Sequence, residues 1–142
     1  MSQASKIPVF FIDRCLGKHP IQEILREMGV RVEVHDDHFP QNTLDQDWIP
    51  KIGEWGWIIL TKDARIARNT LERQAVARAN LRMFTLASKK LSGEETAIAF
   101  REALPCMVKF IAENPAPFIA KVYKDGKVSV WKTAQDLLDE IN

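Results

Sequence analysis

Disulfide chemistry has almost nothing to work with in this chain of 142 residues, whose only cysteines are Cys15 and Cys106. A chain of this length buries a sizeable core without covalent staples, so one domain in a reduced, intracellular setting is expected. Long apolar runs are also missing. Val9 to Ile12 and Trp57 to Leu60 are the longest continuous ones of strand character, far short of the roughly 18–20 residues that span a bilayer. The opening Met-Ser-Gln-Ala-Ser-Lys lacks the apolar stretch of a secretory signal, so no membrane association is expected. Charge of one sign is not in excess either: the net charge of +1 excludes any global electrostatic argument for nucleic acid or membrane binding. Repeats and low-complexity segments are absent. With 46% hydrophobic and 27% charged residues, the composition excludes disorder.

What charge there is lies unevenly. Between Glu33 and Glu54 the acids Glu33, Asp36, Asp37, Asp45, Asp47 and Glu54 meet only Lys51. Between Lys62 and Lys90 the bases Lys62, Arg65, Arg68, Arg73, Arg78, Arg82, Lys89 and Lys90 meet only Asp63 and Glu72. An acidic centre thus sits beside a basic flank.

Short apolar runs alternate with helical periodicity. Val9-Phe10-Phe11-Ile12 reads as a strand buried on both faces and ends at Asp13. Pro20 opens a helix carrying Ile21, Ile24, Leu25 and Met28, and Gly29 suits the left-handed residue past its end. Val30, Val32 and Val34 alternate with polar residues, the period of a strand near a sheet edge. Pro50 places a helix start near Asp45 to Asp47, with Gly56 as its stop. Trp57 to Leu60 is a second buried strand, again running into an aspartate, Asp63. A helix capped by Asn69 or Thr70 and a strand from Arg82 to Leu86 follow. Ser92 and Glu95 form a capping box for a helix whose expected buried side is Ile98, Phe100, Leu104, Val108 and Ile111, kinked or split at Pro105. Phe118 to Tyr123 and Lys127 to Trp131 flank Asp125-Gly126, a hairpin turn in which both positions accept positive φ. A small helix from Thr133 to Ile141 ends the chain. The pattern predicts an α/β fold with a mostly parallel sheet and a terminal hairpin.

In such sheets ligands bind beyond the carboxyl ends of the strands. Asp13 and Asp63 stand at such ends, and Asp45 or Asp47 reaches the same side through the helix they open. Clustered carboxylates repel unless a cation offsets them, and oxygen-only ligation selects Mg²⁺ or Mn²⁺. Lys62, Arg65 and Arg68 flank Asp63 closely enough to grip a phosphate backbone.

The order of an apolar strand ending at Asp13, then Asp45 with Trp48-Ile49 and the Gly56 stop, then Trp57-Ile58-Ile59-Leu60-Thr61-Lys62-Asp63, resembles the PIN-like ribonuclease domains, in their short branch of VapC-type toxins. The likeness extends over about residues 8 to 125, through Leu91-Ser92-Gly93-Glu94-Glu95 and Pro117-Phe118-Ile119-Ala120. It implies a three-layer α/β/α fold in a single domain over 1–142, with a core at about 7–113 and a C-terminal hairpin and short helix at 117–142. It further implies a cytoplasmic, metal-dependent endoribonuclease, the toxin of a toxin–antitoxin system, in which a metal-activated water attacks an RNA phosphodiester. Asp13, Asp45 and Asp63 match the acids that hold Mg²⁺ or Mn²⁺. Arg14, Lys62, Arg65 and Arg68 are the RNA-binding candidates, and the implied partners are RNA, a cognate antitoxin and a second copy in a homodimer. Many PIN domains carry another acid two residues after the third aspartate, where this chain has Arg65. The alternatives are one ion rather than two, recruitment of Asp37 or Asp47, or an inactive module that binds RNA or a protein. The family's helical glutamate has no counterpart that sequence spacing places.

Other constellations carry less. His35, His38 and Cys15 lack the spacing of a zinc motif. Trp48, Trp55 and Trp57 suit base stacking but more commonly pack in cores, as does Trp131. Ser88 and Ser92 have no His and Asp pattern that would make a nucleophile. The pair Asp36-Asp37 follows the second strand, not the first as in receiver-like phosphoacceptors.

Overall fold

A computed structural model describes residues 8–17, 19–88 and 90–142; the opening Met-Ser-Gln-Ala-Ser-Lys and Lys89 of the basic flank lie outside the described residues. Strand β1 (Val9–Ile12) pairs in parallel with β2 (Arg31–Val34) on one side and β3 (Ile58–Thr61) on the other. Strands β4 (Arg82–Leu86) and β5 (Phe118–Val122) continue the parallel sheet, and β6 (Val128–Lys132) closes it antiparallel, in the order β2-β1-β3-β4-β5-β6. The composition of each strand follows its place. Central β1 and β3 are buried throughout, whereas edge strand β2 alternates as its valines predict.

Helices α1 (Ile21–Glu27) and α5 (Gly93–Glu113) cover one face, around Phe10, Ile12, Phe84 and Phe100. Helices α2 (Asp45–Trp55), α3 (Arg65–Arg68), α4 (Thr70–Arg78) and α6 (Ala134–Asp139) cover the other, around Phe11, Trp48, Ile59 and Met83. This is the three-layer α/β/α arrangement, mostly parallel, with a terminal hairpin. Among the described residues no helix is long and apolar enough to cross a membrane.

Local expectations fare unevenly. Gly29 and Gly56 take positive φ at the ends of α1 and α2, and Ser92 and Glu95 close their capping box. Helix α5 runs unbroken through Pro105, which lies on its exposed side, where water can satisfy the carbonyl that the proline leaves free. Its buried stripe is Thr96, Ala97, Ala99, Phe100, Ala103, Leu104 and Met107, while Val108, expected inside, is 43% exposed. Small residues let α5 lie close to the sheet, which turns the stripe away from Val108. Helix α2 starts at Asp45, so Pro50 falls just past its first turn, again on an exposed position. In the hairpin only Gly126 takes positive φ, because the turn closes between Tyr123 and Gly126 instead of over a two-residue loop. Helix α3 is too short to show a period in the sequence.

The relation between α2 and α4 positions the chemistry that follows. They meet at Gly53, where an added Cβ would lie 2.4 Å from the Ala79 carbonyl oxygen and 2.7 Å from Ala79 Cβ. Backbone cannot yield cheaply there. Gly53→Ala is expected to destabilise the protein by about 1–3 kcal/mol through overpacking, read as a lower urea midpoint; an unchanged midpoint would show that the two helices are free to separate.

Candidate metal centre

On the α2/α4 face, Phe11, Ile59, Met83 and Ile119 lie side by side in register across four strands. Two residues further along each strand stand Asp13, Thr61, Thr85 and Lys121. The last three are in register, and Asp13 extends the ladder by donating its amide to Leu60 O at 3.0 Å. One sealed apolar layer therefore gives way to one polar layer at the carboxyl ends of the strands. Carboxylates placed there are close to the core yet face the connecting loops.

Asp13 is 7% exposed. Its Oδ2 accepts a hydrogen bond from Thr61 Oγ1 at 2.7 Å and a weaker one from Cys15 Sγ at 3.5 Å. Loss of solvent nevertheless raises its pKa above the ordinary aspartate value, helped by the negative charge of Asp45; the Thr61 and Cys15 bonds and His35 act the other way. Thr61 Oγ1 in turn accepts from the Asp63 amide at 3.0 Å, so one hydroxyl ties the ends of β1 and β3 together. The Cys15 thiol lies 3.2 Å from Thr61 Oγ1 and accepts from the Lys62 amide at 3.4 Å. Burial and the Asp13 charge push its pKa up to about 12, so it stays protonated.

Asp63 has a cationic neighbour. Its Oδ1 accepts from Arg65 Nε at 2.9 Å and from the Arg65 amide at 3.0 Å, and its Oδ2 accepts from Arg65 Nη2 at 2.9 Å. This fork holds Asp63 below the ordinary aspartate range. The Arg65 side chain is otherwise 85% exposed.

Asp45 sits in the first turn of α2, where the helix dipole favours an acid. The buried Trp48, one turn on, donates its indole N–H to Asp45 Oδ1 at 3.1 Å. The fourth acid, Glu72, is one that sequence reasoning missed. Asn69 caps α4 by accepting from the Glu72 amide at 3.1 Å, the spacing of a capping box, but Glu72 does not close it. Its Oε2 is buried without a hydrogen-bond partner among the described residues. Loss of solvent raises its pKa, as do the charge of Asp45, a carboxyl–carboxyl contact with it, and the charge of Asp63; Arg65 offsets part of this. The Asn69-x-x-Glu72 spacing was the available signal, and it reads equally as an ordinary helix start.

The sequence candidates thus separate. Asp13, Asp45 and Asp63 share one electrostatic neighbourhood with Glu72. Asp37 and Asp47 are exposed and do not figure in the shifts of these acids. Arg14 bonds the Gln41 carbonyl, Arg65 is engaged by Asp63, Lys62 is half-buried beside the site and Arg68 is exposed at the end of α3. His35, 2% exposed, is enclosed by the rings of Phe11, Phe39 and Trp48, while His38 Nε2 meets Glu33 at 2.8 Å. Trp55 and Trp57 stack against His38 and Phe39 away from the acids.

Carboxylate oxygens are the donors a hard divalent cation takes, and Glu72 Oε2 is one lacking a partner among the described residues. As the side chains stand, no three Asp, Glu, His or Cys groups among the described residues are close enough to hold an ion. The donors fit such an ion in type, and Arg65 is the cation that pairs with Asp63.

Asp13 and Asp63 bear on stability with opposite signs. Asp63, depressed by Arg65, contributes stability above the unfolded aspartate value that is lost as pH falls through its folded value. Asp13, raised, keeps its proton longer when folded, so stability declines as pH rises from the ordinary aspartate range through the folded value. In chelator at neutral pH, Asp13→Asn is therefore expected to melt higher than wild type by a few degrees, with the gain vanishing in acid. Equal or lower melting across the range would contradict this electrostatic picture.

A sequence model of the family described as "PIN like domain" matches residues 8–88. The chain is 32% identical over 124 residues, 84% of its own length and 89% of the other's, to a protein of Mycobacterium tuberculosis (strain ATCC 25618 / H37Rv) named "Putative ribonuclease VapC45". No solved structure matches it. The chain belongs to the PIN-like domain family, in its VapC-type branch.

Proposed function

We propose that this protein is a metal-dependent endoribonuclease and the toxin of a toxin–antitoxin system. The observation that carries this reading is the convergence of Asp13, Asp45, Asp63 and Glu72 at the carboxyl ends of β1 and β3 and the starts of α2 and α4, with Glu72 Oε2 buried and unpartnered among the described residues. In this reading Asp13, Asp45 and Asp63 hold Mg²⁺ or Mn²⁺, and Glu72 adds the fourth carboxylate. When bound, the ion would activate water and offset charge developing on the phosphoryl oxygens. Thr61 fixes the Asp13 carboxylate, Trp48 fixes that of Asp45, and the Asn69 cap places Glu72. With Asp63 holding the ion, the exposed Arg65 guanidinium would be available to an RNA phosphate, a geometry that arginine suits. Arg14 and Lys62 flank the same mouth.

The relative's name supports the ribonuclease reading, and the VapC type implies a cognate antitoxin that covers the acids; a cytoplasmic setting and a homodimer belong to the same proposal. Arg65 on Asp63 favours one second reading: a module that keeps the fold and binds RNA or a protein without cutting.

The test is cleavage of a mixed RNA pool by highly purified protein with Mn²⁺ or with chelator. Cleavage is expected only with metal, to fall by about 10²-fold or more in Asp13→Asn with Asp63→Asn, and by about tenfold or more in Glu72→Gln. RNA binding without metal-dependent cleavage in any of several pools would select the non-catalytic module.

A further inference from the structure

The polar layer does not stop at the acids. From Asp13 it passes through Thr61 and Thr85 to Lys121, and then across the antiparallel pair to Ser129. Thr85 Oγ1 is buried with no hydrogen-bond partner among the described residues. Lys121 lies two strand spacings, about 10 Å, from Thr61. Strand alternation carries Trp131, two residues past Ser129, to this same face, where it packs beside the α2/α4 core. Lys121 Nζ sits 4.3 Å from the Trp131 ring centroid, and the Arg68 guanidinium carbon sits 5.8 Å from it. Among the described residues neither cation has a carboxylate within 4.0 Å. The ring attracts each cation, and with no carboxylate beside it each is left to pair with an anion that reaches this face.

We propose that this end of the row is a subsite for single-stranded RNA, in which Lys121 and Arg68 grip a backbone phosphate displaced from the acids toward the hairpin. Beyond it, Ser129 and Tyr123 border a cleft of about 820 Å³ that also takes in Lys124 and Lys127. These two lysines are held only loosely, at 3.9 Å from Glu95 and 3.8 Å from Asp125, so they are available to the strand as it leaves. The subsite rests on the ribonuclease reading and extends it, giving the direction in which RNA crosses the sheet. The acidic centre repels a polyanion, whereas this flank supplies the attraction that holds it.

The test uses the full chain carrying Asp13→Asn and Asp63→Asn, to prevent cleavage, and fluorescence anisotropy with a labelled single-stranded RNA of mixed sequence over a salt series. Adding Lys121→Gln with Arg68→Gln is expected to weaken binding by about tenfold or more and to reduce the slope of log K against log salt by about 0.7 for each phosphate no longer neutralised. Restoring charge with Lys121→Arg recovers part of the affinity, which a packing role for the ring contact does not require. Lys124→Glu with Lys127→Glu, on exposed hairpin positions remote from the core, gives a second loss if the first pair disturbs folding. Affinity and slope unchanged in folded variants would overturn the subsite while the parent still binds RNA. A parent that binds no RNA at all would remove the ribonuclease reading with it. Loss of affinity for a protein partner alone, with RNA binding intact, would also overturn the subsite.

Discussion

Keeping several ionised carboxylates together at the edge of an apolar core is the constraint around which the rest of this molecule is arranged. Each carboxylate repels its neighbours, and removal from water sharpens the repulsion. The fold answers with local partners for three of the four: the Thr61 hydroxyl on Asp13, the Trp48 indole on Asp45 and the Arg65 fork on Asp63. Glu72 keeps an oxygen without one among the described residues. On the proposed reading a hard cation bound among these oxygens would relieve the imbalance.

The same arrangement ties stability to position. Asp13 and Asp63 sit at the ends of β1 and β3, which the Thr61 hydroxyl ties together, whereas Asp45 and Glu72 open α2 and α4, which meet at Gly53. Sheet and helix pair share the core of Phe11, Trp48, Ile59 and Val76. Among the described residues no three Asp, Glu, His or Cys groups are within reach of one ion as they stand.

Much of this was legible in the sequence because hydrophobic period and position coincide. Buried runs that end at Asp13 and run into Asp63 identify strands and their carboxyl ends at once. Asp45 and Asp47 could not be separated by period, since both lie in one helical turn; the determinant is Trp48, which is buried and reaches back three residues. Glu72 was illegible for a different reason: Asn69-x-x-Glu72 is an ordinary helix start, and only the tertiary placement of α4 turns its side chain inward. Lys121 and Trp131 come together with Arg68 only through the pairing of β5 with β4 and β6, which no local pattern in the sequence marks.

Arg65 gives the site its individual character. Where the family resemblance leads to the expectation of a further acid, this chain carries the counter-ion of Asp63. The most direct test of a single centre built from these acids is calorimetric titration of Mn²⁺ into chelator-stripped wild-type protein and Glu72→Gln. The account predicts saturable binding that weakens by about tenfold or more in the variant. Equal affinity in the two proteins would contradict it, because Glu72 would then stand outside any cation site.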